Sequence, residues 1–338
     1  MVGVKVEEAL SETDHCLQFS CPERSVSTAV YVLLYVCAAA VVLLTVCGNL
    51  LIIISVCHFK QLHTPTNMLV LSLAVSDFLV GLFVMPFHFM WLIESCWMFG
   101  HVFCVLFNFV SFQLTSVSVG NIALIALDRY VALSHPFLYS KDVTSTVIHA
   151  VILLTWLFSL LYNFAMFYVG GNFTDLVLCP GECLYYLGET NSLVDLLFVV
   201  IVPCTLMVVL YVQVFVIARR HANAIRELNH NVKSISKMSS DSMRSERKAA
   251  KVLGVLVIVF LVCLVPYYVC SLMSDAVSAD SSYLVVNNIL ILFYLNSSIN
   301  PVIYALFYSW FQRCMKMILT CKILHTDCSF VNVLGINS

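Results

Sequence analysis

The sequence predicts an all-α membrane protein: a seven-transmembrane helix bundle followed by a short amphipathic eighth helix. Three observations support this fold class. The chain of 338 residues is 61% hydrophobic and only 11% charged, whereas soluble domains carry about 25% charged residues. Its mean hydropathy of +0.95 is typical of a protein surrounded largely by lipid. Seven apolar segments are each long enough to cross a bilayer as a helix of about 20 residues.

The predicted spans follow one another without an internal repeat, which argues against a transporter built from two related halves. They cover residues 29–57, 66–92, 101–127, 147–169, 193–217, 250–274 and 284–307. This divides the chain into an N-terminal segment (1–28), a membrane domain (29–307) and a C-terminal helix and tail (308–338).

The distribution of Lys and Arg predicts the orientation in the membrane. Of the 17 basic residues, only Lys5 and Arg24 lie outside one set of alternate loops and the C-terminal tail. Because basic residues concentrate in cytoplasmic loops, we expect the N-terminus outside and the C-terminus inside. The N-terminal segment is acidic and lacks the apolar core of a signal peptide, so the first span would direct membrane insertion. The net charge of −2 gives no indication of a nucleic-acid partner.

Five cysteines are predicted to lie on the outer side, where the environment is oxidising and disulfides are expected. They are Cys16, Cys21, Cys104, Cys179 and Cys183, and two bridges would use four of them. The outer sequence Asn172-Phe173-Thr174 predicts glycosylation of Asn172.

The seventh span contains the polar run Asn296-Ser297-Ser298-Ile299-Asn300-Pro301. Polar groups in lipid need partners within the bundle, so this span must face the protein interior. A membrane anchor alone has no need of such a run, which therefore predicts a functional bundle.

Residues 308–338 begin with apolar side chains at helical spacing and basic side chains opposite, a pattern that favours a helix on the membrane surface. Cys314 and Cys321 lie close enough to the bilayer for palmitoylation, and unmodified thiols are the alternative.

The chain resembles the rhodopsin-like G-protein-coupled receptors, with a family landmark in each span. The landmarks are Gly48-Asn49, Leu73-Ala74-Val75-Ser76-Asp77, Asp128-Arg129-Tyr130, Trp156, Pro203, Cys263-x-x-Pro266 and Asn300-Pro301-x-x-Tyr304. Four further stretches look like trace amine-associated receptors. They are residues 245–254, residues 296–311, Cys179-Pro-Gly-Glu-Cys183 and Ser20-Cys21-Pro22. By this resemblance Cys104 pairs with Cys183, and Cys179 pairs with Cys21 in preference to Cys16.

The resemblance implies a receptor in the plasma membrane that binds a small amine and activates a heterotrimeric G protein. The stimulatory or olfactory type, cyclic AMP and olfactory neurons are the expected setting. Aminergic receptors usually carry an aspartate eighteen residues before the Arg of Asp-Arg-Tyr, but this position is Ser111. Asp195, eight residues before Pro203 in the fifth span, resembles the anchor of a subgroup that binds the ammonium from the opposite wall.

The remaining ligand contacts are predicted around Asp195. Ser111 and Thr115 would hydrogen-bond the ligand, and Tyr267, Tyr268 and Tyr294 would place aromatic faces near the cation. No second carboxylate lies at this depth in the sequence, which favours a monoamine. The alternative is a receptor for a non-amine ligand in which Asp195 makes a structural hydrogen bond.

Leu264 departs from the family pattern, because most relatives have tryptophan two residues before the proline that corresponds to Pro266. In the family, that tryptophan helps to relay ligand binding to the sixth span. A relay through Phe260 and Val119 is the expected substitute.

Two polar groups are implied deeper in the bundle. The first surrounds Asp77 with Asn49, Ser118, Asn296 and Asn300, where family members hold a sodium ion and water. Oxygen ligands suit such a cation, and a water-filled hydrogen-bond network is the alternative. No other cofactor is expected.

The second group is the coupling switch. By resemblance it comprises Asp128, Arg129, Tyr130, Tyr211, Glu246, Asn300, Pro301 and Tyr304. Arg129 would pair with Glu246 until an agonist shifts the equilibrium towards an open form.

Two other classes fit the sequence poorly. The seventh span contains no lysine for retinal attachment, and the ten histidines form no His-Glu-x-x-His motif. The chain is therefore not expected to be an opsin or an enzyme, and its partners are expected to be a small ligand, a G protein and membrane lipids.

Overall fold

The computed structural model describes residues 21, 27–170, 181, 183, 189–231, 252, 254–270 and 279–320. In this part of the chain seven helical segments lie where the spans are predicted. They are Thr28–His58, Pro65–Glu94, Gly100–Ser134, Ser145–Val169, Leu193–Arg220, Gly254–Cys270 and Ala279–Phe307. The first five are each long and apolar enough to cross a membrane. We refer to them as the first to seventh spans, and the predicted seven-helix fold is confirmed.

Threonine caps begin two of the spans. The Thr64 side chain accepts a hydrogen bond from the Asn67 backbone N–H at the start of the second span. Thr144 does the same for Val147 at the start of the fourth. Both caps satisfy one of the backbone donors that a helix leaves free at its N-terminus.

The third span is longer than predicted, because its helix continues to Ser134. The helical hydrogen bonds do not stop where the apolar pattern ends, so Asp128 and Arg129 lie on a helix. A short helix, Pro136–Asp142, follows immediately.

Two spans are interrupted near prolines. The second consists of Pro65–Phe83 and Met85–Glu94, with Pro86 in the first turn of the second piece. In the fifth, the helix Glu189–Asp195 is followed by a π-helical turn, Leu196–Ile201, and then by Val202–Asn231. Pro203 cannot donate a backbone hydrogen bond, which is consistent with irregular hydrogen bonding just before it.

The first and seventh spans touch closely at Gly48. A Cβ atom at this position would lie 2.7 Å from Cβ of Pro301. Glycine therefore allows the two backbones to approach, as small residues commonly do between membrane helices.

Two disulfides mark one end of the bundle, which we call the disulfide end. Cys104 is bonded to Cys183, as predicted. Cys21 is bonded to Cys96, two residues after the end of the second span. The predicted Cys21–Cys179 bridge is therefore wrong in this structure. Residue 96 escaped the prediction because it lies at the edge of an apolar span and outside the family pattern used for pairing.

Trp97 organises the disulfide end. Its backbone N–H donates to the Gly181 carbonyl at 2.7 Å, and its indole N–H donates to the Gly100 carbonyl at 2.9 Å. The Trp97 side chain is only 3% exposed and its ring contacts those of Phe103 and Phe107. The two disulfides therefore lie next to a packed aromatic cluster around Trp97.

The predicted C-terminal helix is present as Ser309–Leu319 and bends by 102° away from the seventh span. Trp310, Phe311 and Cys314 lie on its buried side, whereas Gln312 and Lys316 are exposed. The Cys314 side chain is completely buried, so this conformation argues against its palmitoylation. Cys321 lies outside the described residues.

Candidate functional site

Asp195 is a buried carboxylate in the N-terminal half of the fifth span. It is 8% exposed and directly precedes the π-helical turn. The Tyr162 hydroxyl of the fourth span donates a hydrogen bond to Asp195 Oδ1 at 3.1 Å. An ionised carboxylate offers about four acceptor positions, so this contact leaves capacity for a further donor. The sequence indicated Asp195 but gave no signal for Tyr162.

Tyr267 and Tyr268 bring the sixth span towards this carboxylate. Both side chains interact electrostatically with Asp195, and their ring centroids lie 5.1 Å apart in an edge-to-face arrangement. The structure therefore brings together the predicted acidic anchor and two of the three predicted tyrosines.

Ser111, Thr115 and Tyr294 form the other side of the predicted site. Ser111 and Thr115 are 7% and 8% exposed, and the Ser111 hydroxyl lies close to that of Tyr294. The Ser111 hydroxyl donates a hydrogen bond to the Phe107 carbonyl at 2.7 Å. The predicted residues of the third and seventh spans are thus in contact.

Phe293 connects the two halves of the site. Its ring centroid lies 5.8 Å from that of Tyr267 and 5.5 Å from that of Tyr294. The aromatic row runs from the sixth to the seventh span between Asp195 and the Ser111–Tyr294 pair. Sequence reasoning missed Phe293, since one phenylalanine in an apolar span carries no distinguishing signal.

A cavity lies beside this row, between the second, third, sixth and seventh spans. Its lining is Val80, Thr115, Ser118, Phe260, Cys263, Leu264, Phe293, Tyr294, Asn296 and Ser297. Leu264, at the position of the missing tryptophan, is 2% exposed and forms part of the wall. The cavity shares Thr115 and Tyr294 with the predicted ligand site and Ser118 and Asn296 with the predicted sodium site.

Asp77 is fully buried at the centre of the bundle. Its Oδ1 accepts hydrogen bonds from Ser297 at 2.8 Å and Ser118 at 3.2 Å, and its Oδ2 accepts from Asn300 at 2.7 Å. Ser297 was not among the predicted members of this cluster. Asn296 makes none of these hydrogen bonds to Asp77. Its side chain lines the adjacent cavity instead.

Asn49 supports the Asp77 cluster through the backbone. Its side-chain amide donates to the Ser297 carbonyl at 3.0 Å and to the Thr45 carbonyl at 2.9 Å. The Asn49 amide therefore holds the seventh span next to the first at the height where Ser297 meets Asp77. Among the described residues, no group of three or more His, Cys, Asp or Glu side chains is placed to hold a metal ion.

Asp128 and Arg129 form the centre of a second polar group, which defines the Arg129 end of the bundle. Arg129 donates to Asp128 Oδ2 through its Nε at 2.9 Å and through a terminal nitrogen at 2.5 Å. Tyr139, on the helix after the third span, donates to Asp128 Oδ1 at 2.8 Å. Thr66 donates to Oδ2 at 2.8 Å and also contacts Arg129.

Burial and the Asp128 carboxylate both raise the pKa of the Tyr139 hydroxyl, and burial is the larger cause. The hydroxyl therefore keeps its proton at neutral pH and remains a donor to Asp128. Glu246, the predicted partner of Arg129, lies outside the described residues, so that pairing stays a prediction.

The other predicted switch residues lie along the same interior. Tyr304 is 1% exposed, and its hydroxyl has no hydrogen-bond partner within the described part of the chain. Tyr211 packs against Gly254, where an added Cβ atom would overlap the Tyr211 ring. Tyr130 packs on the large apolar cluster that fills this end of the bundle.

The architecture and these two polar groups define a class of membrane receptor. The sequence family described as 7 transmembrane receptor (rhodopsin family) matches residues 48–304. The chain therefore belongs to the rhodopsin family of seven-transmembrane receptors, which bind a small ligand and act on a G protein. It is a receptor and not an enzyme.

Within that family the chain is similar to trace amine-associated receptors. It is 37% identical to trace amine-associated receptor 13c of Danio rerio over 282 residues, which cover 82% of each chain. It is 37% identical to trace amine-associated receptor 6 of Pan troglodytes over 321 residues, 93% of each chain. Identity to trace amine-associated receptor 1 of Macaca mulatta is 35% over 322 residues, 93% of this chain and 95% of the relative.

Proposed function

We propose that this protein is a receptor for small amines whose ammonium group pairs with Asp195. The observation that carries the proposal is the buried Asp195 carboxylate beside Tyr267 and Tyr268. A buried carboxylate needs a compensating partner, and a cation between a carboxylate and aromatic rings is stabilised by both. Ser111 at the usual aspartate position supports the same assignment, because it leaves the third span without a charge for the ligand.

The wider setting of the proposal follows the relatives. The receptor lies in the plasma membrane with its disulfide end and N-terminus outside and its C-terminus in the cytoplasm. It acts through a stimulatory or olfactory G protein to raise cyclic AMP. Asn172, outside the described residues, is the proposed glycosylation site, and the Asp77 cluster is the proposed sodium or water site.

A second candidate is a receptor for a non-amine ligand in which Asp195 is structural. The Tyr162–Asp195 hydrogen bond at 3.1 Å favours this alternative, since it ties the fourth and fifth spans together without any ligand. The two candidates differ in what neutralising Asp195 does to an amine response.

The test compares cyclic AMP responses to a panel of amines in cells expressing the wild type or Asp195→Asn at matched surface level. Asparagine keeps the shape and removes the charge. We expect amine potency to fall by at least about 30-fold, because losing one member of a buried charge pair costs about 2 kcal/mol or more. Glu94→Gln is the control, since Glu94 is another carboxylate near the disulfide end. An unchanged amine response in Asp195→Asn would show that Asp195 does not bind the ammonium, and a wild type that responds to no amine would leave the non-amine receptor as the better candidate.

A further inference from the structure

The fourth span packs one helix face against the third span. Residues Thr155, Ser159, Asn163 and Phe167 follow one another at intervals of four, which places them on the same face of the helix. The last three are buried, and Asn163 is only 3% exposed. A Cβ atom added at Gly120 of the third span would lie 2.7 Å from Thr155 Cγ2, so the two helices approach closely at this face.

Asn163 ties this face to the third span by hydrogen bonds. Its Nδ2 donates to Gln113 Oε1 and to Ser116 Oγ, both at 3.2 Å, and to the Ser159 backbone carbonyl at 2.8 Å. Gln113 in turn donates to the Trp156 carbonyl of the fourth span at 3.4 Å. Gln113 and Ser116 are three residues apart, so the Asn163 amide bridges about one turn of the third span.

The rotation of the fourth span about its axis decides where Tyr162 points. Successive residues of an α-helix are about 100° apart around the axis. While Asn163 faces the third span, its neighbour Tyr162 is therefore turned away from it, and its hydroxyl donates to Asp195 Oδ1 at 3.1 Å. The hydroxyl lies at the end of a long side chain, so a small rotation of the helix is enough to break this hydrogen bond.

The lipid-facing side of the fourth span does not fix this rotation. Leu154, Phe158 and Leu161 are exposed, and lipid tails are as apolar as these side chains. Membrane helices therefore depend on packing and on interhelical hydrogen bonds for their orientation. Asn163 supplies such hydrogen bonds at the height of Tyr162, one residue away in the chain.

We propose that Asn163 is a positioning residue of the amine site. Its hydrogen bonds to Gln113 and Ser116 hold the rotation of the fourth span that lets Tyr162 orient the Asp195 carboxylate. This inference rests on the proposed function and extends its site by a layer that acts through Tyr162. Loss of Asn163 should therefore weaken amine binding only as far as the Tyr162 hydroxyl contributes to it.

The experiment is a double-mutant cycle on amine potency. Cyclic AMP responses to one active amine are measured for the wild type, Asn163→Leu, Tyr162→Phe and the combined variant at matched surface level. Leucine branches at the same carbon as asparagine and makes no side-chain hydrogen bonds. Ser159→Ala is the control, because Ser159 lies on the same face and alanine retains the backbone carbonyl that Asn163 uses.

We expect Asn163→Leu to lower amine potency by about 3- to 10-fold, as Tyr162→Phe does, since both remove the same hydrogen bond from Asp195. The combined variant should lie within about twofold of Tyr162→Phe, because residues that act through one contact do not add. Ser159→Ala should stay within about twofold of the wild type. A combined loss equal to the product of the two single losses would overturn the positioning role, and so would wild-type potency in Asn163→Leu.

Gln113→Met tests the same contact from the third span and serves if Asn163→Leu does not reach the surface. Methionine is as long as glutamine and removes the Oε1 acceptor of Asn163. Gln113→Met should lower amine potency in the otherwise wild-type receptor and leave Tyr162→Phe nearly unchanged. Equal losses in the two backgrounds would overturn the positioning role.

Asp195→Asn separates failure of this inference from failure of the amine site. If Asp195→Asn loses the amine response while the losses in the cycle are independent, the amine site stands and the role of Asn163 is wrong. If Asp195→Asn responds like the wild type, the pairing of the ammonium with Asp195 is wrong, and the inference about Asn163 falls with it.

Discussion

Asp195 accepts a hydrogen bond from Tyr162 and lies within electrostatic range of Tyr267 and Tyr268. The hydrogen bond from Tyr162 fixes the orientation of the carboxylate and uses only part of its acceptor capacity. Tyr162 is therefore a positioning residue, and the structural and ligand-binding interpretations of Asp195 are compatible at this contact. They differ in what happens when the contact is removed.

Tyr162→Phe removes the hydroxyl and leaves the ring. A hydrogen bond to an ionised carboxylate contributes about 1.5–3 kcal/mol. This bond is present with and without the ligand, so only part of its contribution enters the amine potency, which we expect to fall by about 3- to 10-fold. The loss should be smaller than that of Asp195→Asn, because the charge remains. The measurement is the cyclic AMP potency of one active amine at matched surface level.

Phe158→Leu is the control for Tyr162→Phe. Phe158 stacks on Tyr162 at 6.4 Å and is 69% exposed, so it changes the surroundings without touching the hydroxyl. If Tyr162→Phe lowers only the surface level and leaves the potency of the amine unchanged, the hydrogen bond serves stability and not ligand binding.

The charged residues of the sites could be predicted from the sequence. The hydroxyl groups that contact these charges could not. Asp195, Asp77 and Arg129 stand out because charges in a membrane span are costly. Ser297, Thr66 and Tyr139 contact these charges, but serine, threonine and tyrosine also occur throughout the chain. Only the folded bundle shows which of them lie next to a carboxylate.

Among the helical elements, the spans were predictable and their irregularities were not. Length and hydropathy define a span, and all seven predicted positions coincide with helices. The break at Val84 and the π-helical turn Leu196–Ile201 depend on where a few backbone hydrogen bonds shift. A proline indicates that the backbone hydrogen bonding of the helix changes nearby, but it does not determine which turn becomes irregular.

The C-terminal helix Ser309–Leu319 makes a prediction about cysteine chemistry. Burial raises the pKa of the Cys314 thiol to about 11, and the thiolate is the reactive form. The thiolate fraction of Cys314 should therefore remain small until the pH approaches that value. We expect iodoacetamide to label Cys314 more than about tenfold more slowly at pH 7.5 than an exposed thiol.

Cys57 is the internal control for this labelling. It is free and exposed, and it lies at the end of the first span that the C-terminal helix contacts. Mass spectrometry of folded and denatured receptor gives both rates in one sample, and denaturation should make them similar. Fast labelling of Cys314 in the folded receptor would mean that the helix leaves its docked position and would restore Cys314 as a candidate for palmitoylation.

Across the whole molecule, three polar groups lie in sequence along the bundle interior: Asp195, the Asp77 cluster and the Asp128–Arg129 pair. Their membership depends on contacts between spans far apart in the chain, such as Asn300 with Asp77. Apolar patterning fixes which segments enter the membrane, but it does not fix their rotation about the helix axis. The family resemblance supplied that information for most of these residues, and it failed for the Cys21 bridge.

The Cys21–Cys96 bridge can be tested by comparing single and double variants. If the two cysteines are bonded, Cys21→Ser, Cys96→Ser and the double variant all remove the same bridge. Each should then lower the stability of the purified receptor by about 2–4 kcal/mol, and the effects should not add. The readout is the thermal unfolding midpoint, together with mapping of disulfide-linked peptides without reduction.

Cys179→Ser distinguishes the bridge in the structure from the one expected by resemblance. A Cys21–Cys96 bond predicts that Cys179→Ser does not reproduce the Cys21→Ser effect and that a Cys21–Cys96 peptide is found. A Cys21–Cys179 bond predicts the reverse, with Cys96→Ser close to the wild type. The distinction concerns the whole molecule, because the bond to Cys96 attaches the N-terminal segment to the second span. The alternative bond would attach the N-terminal segment to the segment that carries Cys183. Cys183 is itself bonded to Cys104 of the third span.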